Sequence, residues 1–353
     1  MVIQADNPLL QYCGRIDFSN PAAPVMVYPC SFVRFWFFGN HLTVTVENNG
    51  GGWKHYLGCI VDDVQEKYSL PKYGKQTYDI SVNQEKKIHE VVIFKRQDGC
   101  HLLTFHQAEI KGGVLLTPPP LPERKIEVYG DSVSAGEVSE AVAYTGREDP
   151  PHEGEYSNSW YSYAWMTARK LNAQIHDIAQ GGIALMDGSG WFMDPEYVGL
   201  ETIYDKVRYV QRFGGRTSWD FSKYRPQVVI IAIGQNDSHP EDYMALEPYG
   251  EKASIWKEHY KKFVETIRGK YPKAQIILAT TILEHSKEWD AAIGEITREL
   301  NDKSVHHFLY KKNGCGTKGH VRIPEAEEMA EELSTYIQSM GEEIWEREKK
   351  GEK

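Results

Sequence analysis

Lys125-Ile126-Glu127-Val128-Tyr129-Gly130-Asp131-Ser132 is the stretch from which the fold follows. Five residues that read as a strand break off at Gly130 into Asp131-Ser132, a pair suited to tight turns. The pattern predicts a serine held on a turn at the carboxyl end of a strand. Downstream, Gln174-Ile175-His176-Asp177-Ile178-Ala179 precedes Gly181-Gly182, and Val228-Val229-Ile230-Ile231-Ala232-Ile233 precedes Gly234-Gln235-Asn236-Asp237. The second of these runs is continuously apolar, as a parallel strand covered on both faces requires. Ile276-Ile277-Leu278-Ala279-Thr280-Thr281 is a further candidate strand.

Between the strands lie apolar stripes at helical spacing: Trp160, Ala164, Ala168 and Leu171; Trp256, Tyr260, Phe263 and Ile267; Trp289, Ile293, Ile296 and Leu300. A last helix is expected from Pro324, a tolerated first-turn residue, with Met329, Leu333 and Ile337 facing inward. Alternation of this kind predicts a three-layer α/β domain with a parallel sheet over residues 125–340. Ligands of such sheets bind beyond the carboxyl ends of the strands, where the three glycine-containing turns converge.

Working upstream, residues 1–116 have another texture. Phe32–Phe38, His41–Val46 and His89–Phe94 are short, β-branched and aromatic, and Asn48-Asn49-Gly50-Gly51-Gly52 and Asp98-Gly99 read as turns. An all-β sandwich or jelly roll is expected. In the first of these strands Val33, Phe35 and Phe37 share one face and Trp36 and Phe38 the other; one face is expected to fill the sandwich and the second to pack on the following domain. Residues 117–124, beginning Thr117-Pro118-Pro119-Pro120-Leu121-Pro122, form a stiff linker because proline fixes φ and donates no sheet hydrogen bond. Residues 341–353 are read as a charged tail that frays.

A formal charge of −10 disfavours nucleic acid, anionic membranes and polyanionic substrates, and suits a neutral one. Met1–Pro8 shows neither the basic nor the apolar region of a signal peptide, so a cytoplasmic location is expected, with reduced thiols for the five scattered cysteines. No histidine or cysteine spacing matches a metal site, and neither a metal nor another cofactor is expected.

A serine hydroxyl needs a neighbouring base to become a nucleophile. Ser132 is the candidate nucleophile and His320, in the loop Gly314–His320 before the last helix, the candidate base. The Ser132 and Gly182 amides and the Asn236 side-chain amide are candidate oxyanion donors. Trp191 is a candidate substrate-binding residue. Asp131 is expected to brace its turn, Asp237 to do similar work beside Asn236, and Trp219 to pack where the chain enters a strand.

Gly130-Asp131-Ser132-Val133-Ser134-Ala135-Gly136, Gly182, Gly234-Gln235-Asn236-Asp237 and His320 resemble the motif blocks of SGNH (GDSL-type) hydrolases. Together with the β-domain ahead of them, they are most similar to carbohydrate esterase family 2. The resemblance implies removal of O-acetyl groups from plant cell-wall sugars through an acetyl-serine, here from hemicellulose-derived oligosaccharides, manno- or xylo-, with a lean to mannan. One position departs from the pattern: the aspartate usual three residues before the histidine is Thr317. Some members of the family work with a Ser-His dyad and a backbone carbonyl as orienting acceptor, and a dyad is expected here. Glu325 is a remote alternative, better suited to the first turn of the last helix. Two other readings stand beside this one: an SGNH enzyme for another short acyl ester or thioester, and a carbohydrate-binding protein with an inactive hydrolase domain. The β-domain is expected to buttress the site.

Overall fold

The computed structural model describes residues 1–346. The first domain is a sandwich of two antiparallel six-stranded sheets. One is built around Leu42–Gly50 and His101–Ile110, the other around Phe32–Phe38, Ile88–Lys95 and Tyr56–Val61. Strict alternation sends Val33, Phe35 and Phe37 into the space between the sheets, where they meet Val44, Val46, Leu103 and Phe105. The outer face of that first strand behaves differently from expectation. Phe32, at its start, stacks on Trp165 of the second domain with ring centroids 5.6 Å apart, but Phe38, at its end, is 44% exposed. The strand leaves the domain contact before it finishes. The expected turn at 48–52 also starts later, because Leu42–Gly50 stays paired through Gly50 and Asn48 is buried, accepting from His101 Nδ1 at 2.7 Å.

In the second domain five parallel strands, β1 (Arg124–Gly130), β2 (Ala173–Ala179), β3 (Val228–Ala232), β4 (Gln275–Ala279) and β5 (Val305–His307), lie in the order β2-β1-β3-β4-β5. One turn of helix, α1 (Ser132–Ala135), follows β1 directly. Helices α2 (Tyr163–Lys170) and α5 (Ile323–Ser339) cover one sheet face; α3 (Glu251–Lys270) and α4 (Lys287–Leu300) cover the other. The stripes that mark these helices in the sequence supply the two cores. Trp256 and Trp289 meet edge to face at 5.0 Å in one; Met329, Leu333 and Ile337 fill the other.

The domains are joined by buried polar contacts as well as apolar ones. Arg15 of the sandwich is fully buried against Glu127 of β1, at 3.3 Å, and donates to the Tyr204 carbonyl at 2.5 Å. Tyr129 and Tyr271 hydroxyls donate to the other oxygen of Glu127. Such a pair is weak evidence for net stability, but removing one partner would strand a buried charge. The five cysteines are free. Of the tail expected to fray from 341, Glu342–Trp345 form a 3₁₀ turn: Glu342 pairs with Arg124 at 2.7 Å, and the Arg124 guanidinium lies 5.2 Å from the Trp345 ring. Residues 347–353 lie outside the described residues.

Candidate active site

Backbone chemistry at the end of β1 places Ser132. Asp131 caps α1, its Oδ1 accepting from Val133 N at 3.0 Å. Its Oδ2 accepts from Gln235 Nε2 at 2.8 Å, which ties the β1 turn to the β3 turn. Asp131 therefore braces the turn, as its position suggested. Gly136 closes α1 at φ +74°, where a Cβ would lie 2.6 Å from the Asn158 carbonyl oxygen, so glycine is required.

Ser132 and His320 face one cleft of about 630 Å³. His320 does not rely on a backbone carbonyl or on Thr317. Its Nδ1 lies 2.5 Å from Asp149 Oδ2, and its own backbone N–H donates to Asp149 Oδ1 at 2.8 Å. The expectation of a dyad is thus corrected: a carboxylate holds the imidazole, and it comes from the loop after α1, 171 residues earlier in the chain. Buried Arg322 fixes that carboxylate at 2.7 Å and also donates to the His320 carbonyl. Thr317 is buried with its hydroxyl unpartnered, and pairs with Leu283 through an isolated bridge. Glu325 accepts from Arg322 N and Gly146 N at 2.8 and 2.9 Å, a helix-capping role.

Burial disfavours a charged imidazole, yet the Asp149 hydrogen bond and the Glu137, Asp149 and Asp131 carboxylates outweigh it and raise the His320 pKa. Asp149 is partly buried, which opposes ionisation, but its bonds to His320 and Arg322 hold it well below the ordinary carboxylate range. Among the described residues no hydrogen bond joins Ser132 Oγ to the imidazole. The charged neighbour of His320 Nε2 is Glu137, 3.7 Å away. Catalytic hydrogen bonds often tighten only in the complex.

Of the oxyanion candidates, Gly182 sits at φ +73°, and a Cβ there would meet Trp191 Cβ at 2.8 Å. Its carbonyl accepts from Trp191 N and Phe192 N, while its own N–H donates to no described residue. Asn236 Nδ2 is turned onto the protein, at 3.0 Å from the Ile183 carbonyl and 3.4 Å from Asp131 Oδ2. Asp237 accepts from Leu185 N and Met186 N at 2.8 and 3.3 Å and so anchors the glycine loop to β3. Burial pushes its pKa up to about 7.

Trp191 is 63% exposed beside the cleft and lies against His239, ring centroids 3.5 Å apart. Trp219 is remote from the cleft, 5.2 Å from Arg15 and edge-on to His176. The β-domain, expected only to buttress, contributes cleft wall. Trp53 and Asp98 line it, and Asp98 Oδ2 accepts from Gly181 N at 2.7 Å and Gln180 Nε2 at 2.5 Å. A β-domain carboxylate thereby holds the peptide next to Gly182. Among the described residues, no three His, Cys, Asp or Glu side chains gather as a metal site would require, and no helix is long and apolar enough to cross a membrane.

Sequence reasoning missed Asp149, Glu137 and Asp98. Asp149 and Glu137 lie in the long stretch between α1 and α2, at the functional edge of the sheet, where loops carry function. That stretch, read for carboxylates, was the available signal; Asp98, in a β-domain turn, gave none.

Residues 12–120 match the carbohydrate esterase 2 N-terminal family and residues 128–306 the GDSL-like lipase/acylhydrolase family. The chain is 30% identical over 349 residues to a cellulase/esterase, CelE, from Acetivibrio thermocellus; the match takes in 95% of this chain and 40% of that protein. It is 27% identical over 344 residues to an acetylxylan esterase / glucomannan deacetylase from Cellvibrio japonicus, 96% of this chain and 90% of that one. A family two carbohydrate esterase from Clostridium thermocellum, solved with cellohexaose, superposes with a TM-score of 0.79 at 28% identity, covering 96% of this chain and all of that one. The chain thus spans less than half the length of CelE and nearly all of the other two. It belongs to the GDSL-like lipase/acylhydrolase family, carrying a carbohydrate esterase 2 N-terminal domain before the α/β domain.

Proposed function

We propose that the protein is a serine esterase that removes O-acetyl groups from hemicellulose-derived oligosaccharides. The observation that carries this reading is Ser132, on its strand-end turn, facing the same cleft as an imidazole whose Nδ1 is held by Asp149. Ser132 Oγ attacks the acetyl carbonyl carbon while His320 Nε2 takes its proton. Asp149 stabilises the imidazolium, as a carboxylate on the far nitrogen does in other serine hydrolases. The developing oxyanion is met by the Ser132 and Gly182 amides and by Asn236, whose longer bond, to Asp131, is the one an oxyanion would replace. Collapse expels the sugar alkoxide, which takes the proton from His320. Water then attacks the acetyl-serine by the same route and releases acetate.

Exposed Trp191 and Trp53 at the cleft suit flat sugar faces, and the relative named for xylan and glucomannan supports a hemicellulose substrate. Within that class we favour manno-oligosaccharides. The test is acetate release from acetylated manno- and xylo-oligosaccharides by wild type and by Ser132→Ala. Release by wild type alone supports the reading. A folded wild type that releases acetate from neither, nor from an aryl acetate, sinks it.

A further inference from the structure

Asp149 is held on one side by its own domain. Arg322 meets its carboxylate, and two residues earlier the Arg147 carbonyl accepts from Gly319 N at 3.0 Å. On the other side the chain leaves through Pro150-Pro151, whose fixed φ angles make a stiff arm. That arm ends on the β-domain. His152 stacks on Trp53, ring centroids 5.3 Å apart and planes 18° from parallel. The Glu153 carbonyl accepts from Lys54 N at 2.8 Å. Gly154 follows at φ +99°, where a Cβ would lie 2.7 Å from the Lys54 carbonyl oxygen, so glycine is what allows the approach.

The His152 ring is used for its face. Its Nδ1 is buried with no hydrogen-bond partner among the described residues. Burial lowers its pKa, so it is a neutral plate at neutral pH and above. The Lys54–Glu153 ion pair beside it is exposed on both sides and contributes little. The ends of the same loop are tied more firmly. Glu140 accepts from buried Arg96 at 2.8 Å, from Lys67 at 3.1 Å and from Asn158 at 2.7 Å. With those anchors intact, losing the stack at His152 frees the Asp149 arm without undocking the loop.

We infer that His152 is a positioning residue: stacked on Trp53, it holds Asp149 against His320 through the Pro150-Pro151 arm, so that docking of the β-domain completes the catalytic unit. This rests on the esterase reading above and gives the β-domain a part in the chemistry beyond its share of the cleft wall.

The test is a double-mutant cycle on an aryl acetate, with kcat taken per folded molecule. His152→Ala should lower kcat about tenfold, between the value of one aromatic pair and the roughly hundredfold that a misplacement of about 1 Å can cost. Its kinetic pH limb should move to lower pH, because an Asp149 that has drifted no longer holds the His320 pKa up. Loss of stability alone would leave the limb in place. The Glu137 and Asp131 carboxylates, which also face His320, are untouched by the substitution. His152→Phe keeps the plate and should retain most of the activity. In an Asp149→Ala background His152→Ala should cost no more than about twofold, since its target is gone. Equal losses in both backgrounds, an unchanged kcat in folded His152→Ala, or equal damage from Phe and Ala would each overturn the inference. If His152→Ala does not fold, Gly154→Ala opens the same contact from the backbone, and the same cycle decides. A wild type that hydrolyses neither the aryl acetate nor an acetylated sugar is a separate result: it sinks the esterase reading, and this inference with it.

Discussion

Two histidines at the carboxyl edge of the sheet invite comparison. His285 and His320 each meet a carboxylate, Asp290 and Asp149, and each has its pKa raised by that contact in spite of burial. They differ in what their second nitrogen meets. His285 is closed on both sides, Nδ1 on the Leu283 carbonyl at 2.6 Å and Nε2 on Asp290 at 3.2 Å. Asp290 is held in turn by Thr280 and Asn313, so the pair clamps the loops after β4 and β5. His320 spends only Nδ1 on structure and leaves Nε2 toward the cleft. A carboxylate partner does not distinguish a base from a clamp; an uncommitted second nitrogen beside a nucleophile does.

The sharpest way to break this comparison is to remove each ring. His320→Ala should lower kcat for acetate release by about 10⁴-fold or more, the scale on which losing a member of a serine–histidine unit is felt, with the melting transition little changed. His285→Ala should invert the pattern. Activity per folded molecule stays within about tenfold, while stability falls by about 1–3 kcal/mol as Asp290 loses a buried partner. Equal kinetic damage from both variants would show that the free nitrogen is not the difference that matters.

Next in size is the carboxylate. Asp149→Ala leaves Nδ1 without an acceptor and should cost about 10²- to 10⁴-fold in kcat. Asp290→Ala should leave kcat nearly intact. Full activity in Asp149→Ala would restore the dyad expected from Thr317 and make the observed contact incidental.

This is where the sequence was legible and where it was not. The strand-end serine, the glycine loop and the late histidine could be read because each depends on its own neighbours: a β-run, a turn, a helix start. The parallel topology then brings them together. Asp149 could not be read by position relative to His320, because the contact bridges 171 residues and is made by a loop rather than a repeating element. Thr317 marks where the local pattern fails, and only the fold shows which distant group replaces it. The same holds for the β-domain, whose strands alternate legibly but whose Asp98 reaches Gly181 through domain packing.

Asp98 gives a smaller effect. Asp98→Ala removes the acceptor from Gly181 N and Gln180 Nε2 without touching an oxyanion donor directly. A kcat loss of about tenfold is expected, below the 10²–10³ typical of losing a donor itself. KM for an aryl acetate should hold, since that substrate needs little of the cleft. A loss confined to KM would instead assign Asp98 to substrate binding.

The last prediction concerns pH and separates the histidines by sign. His320 must be neutral to accept the Ser132 proton, so kcat/KM should rise with pH through a limb above the ordinary imidazole value. Asp149→Asn removes the negative charge facing Nδ1 and should move that limb to lower pH while reducing the plateau. Asp290→Asn should leave the limb in place, because His285 takes no proton from the reaction. Its effect belongs to stability instead. The His285 pKa is raised on folding, so its contribution is full below the unfolded value and is lost as pH rises through the folded one. The Asp290 pKa is depressed, so its contribution is present above the ordinary carboxylate value and is lost as pH falls through the depressed one. The pair therefore stabilises most in mildly acid solution, and Asp290→Asn should lower the urea midpoint more at pH 5 than at pH 9. A kinetic limb that follows Asp290→Asn instead of Asp149→Asn would exchange the two histidines' roles.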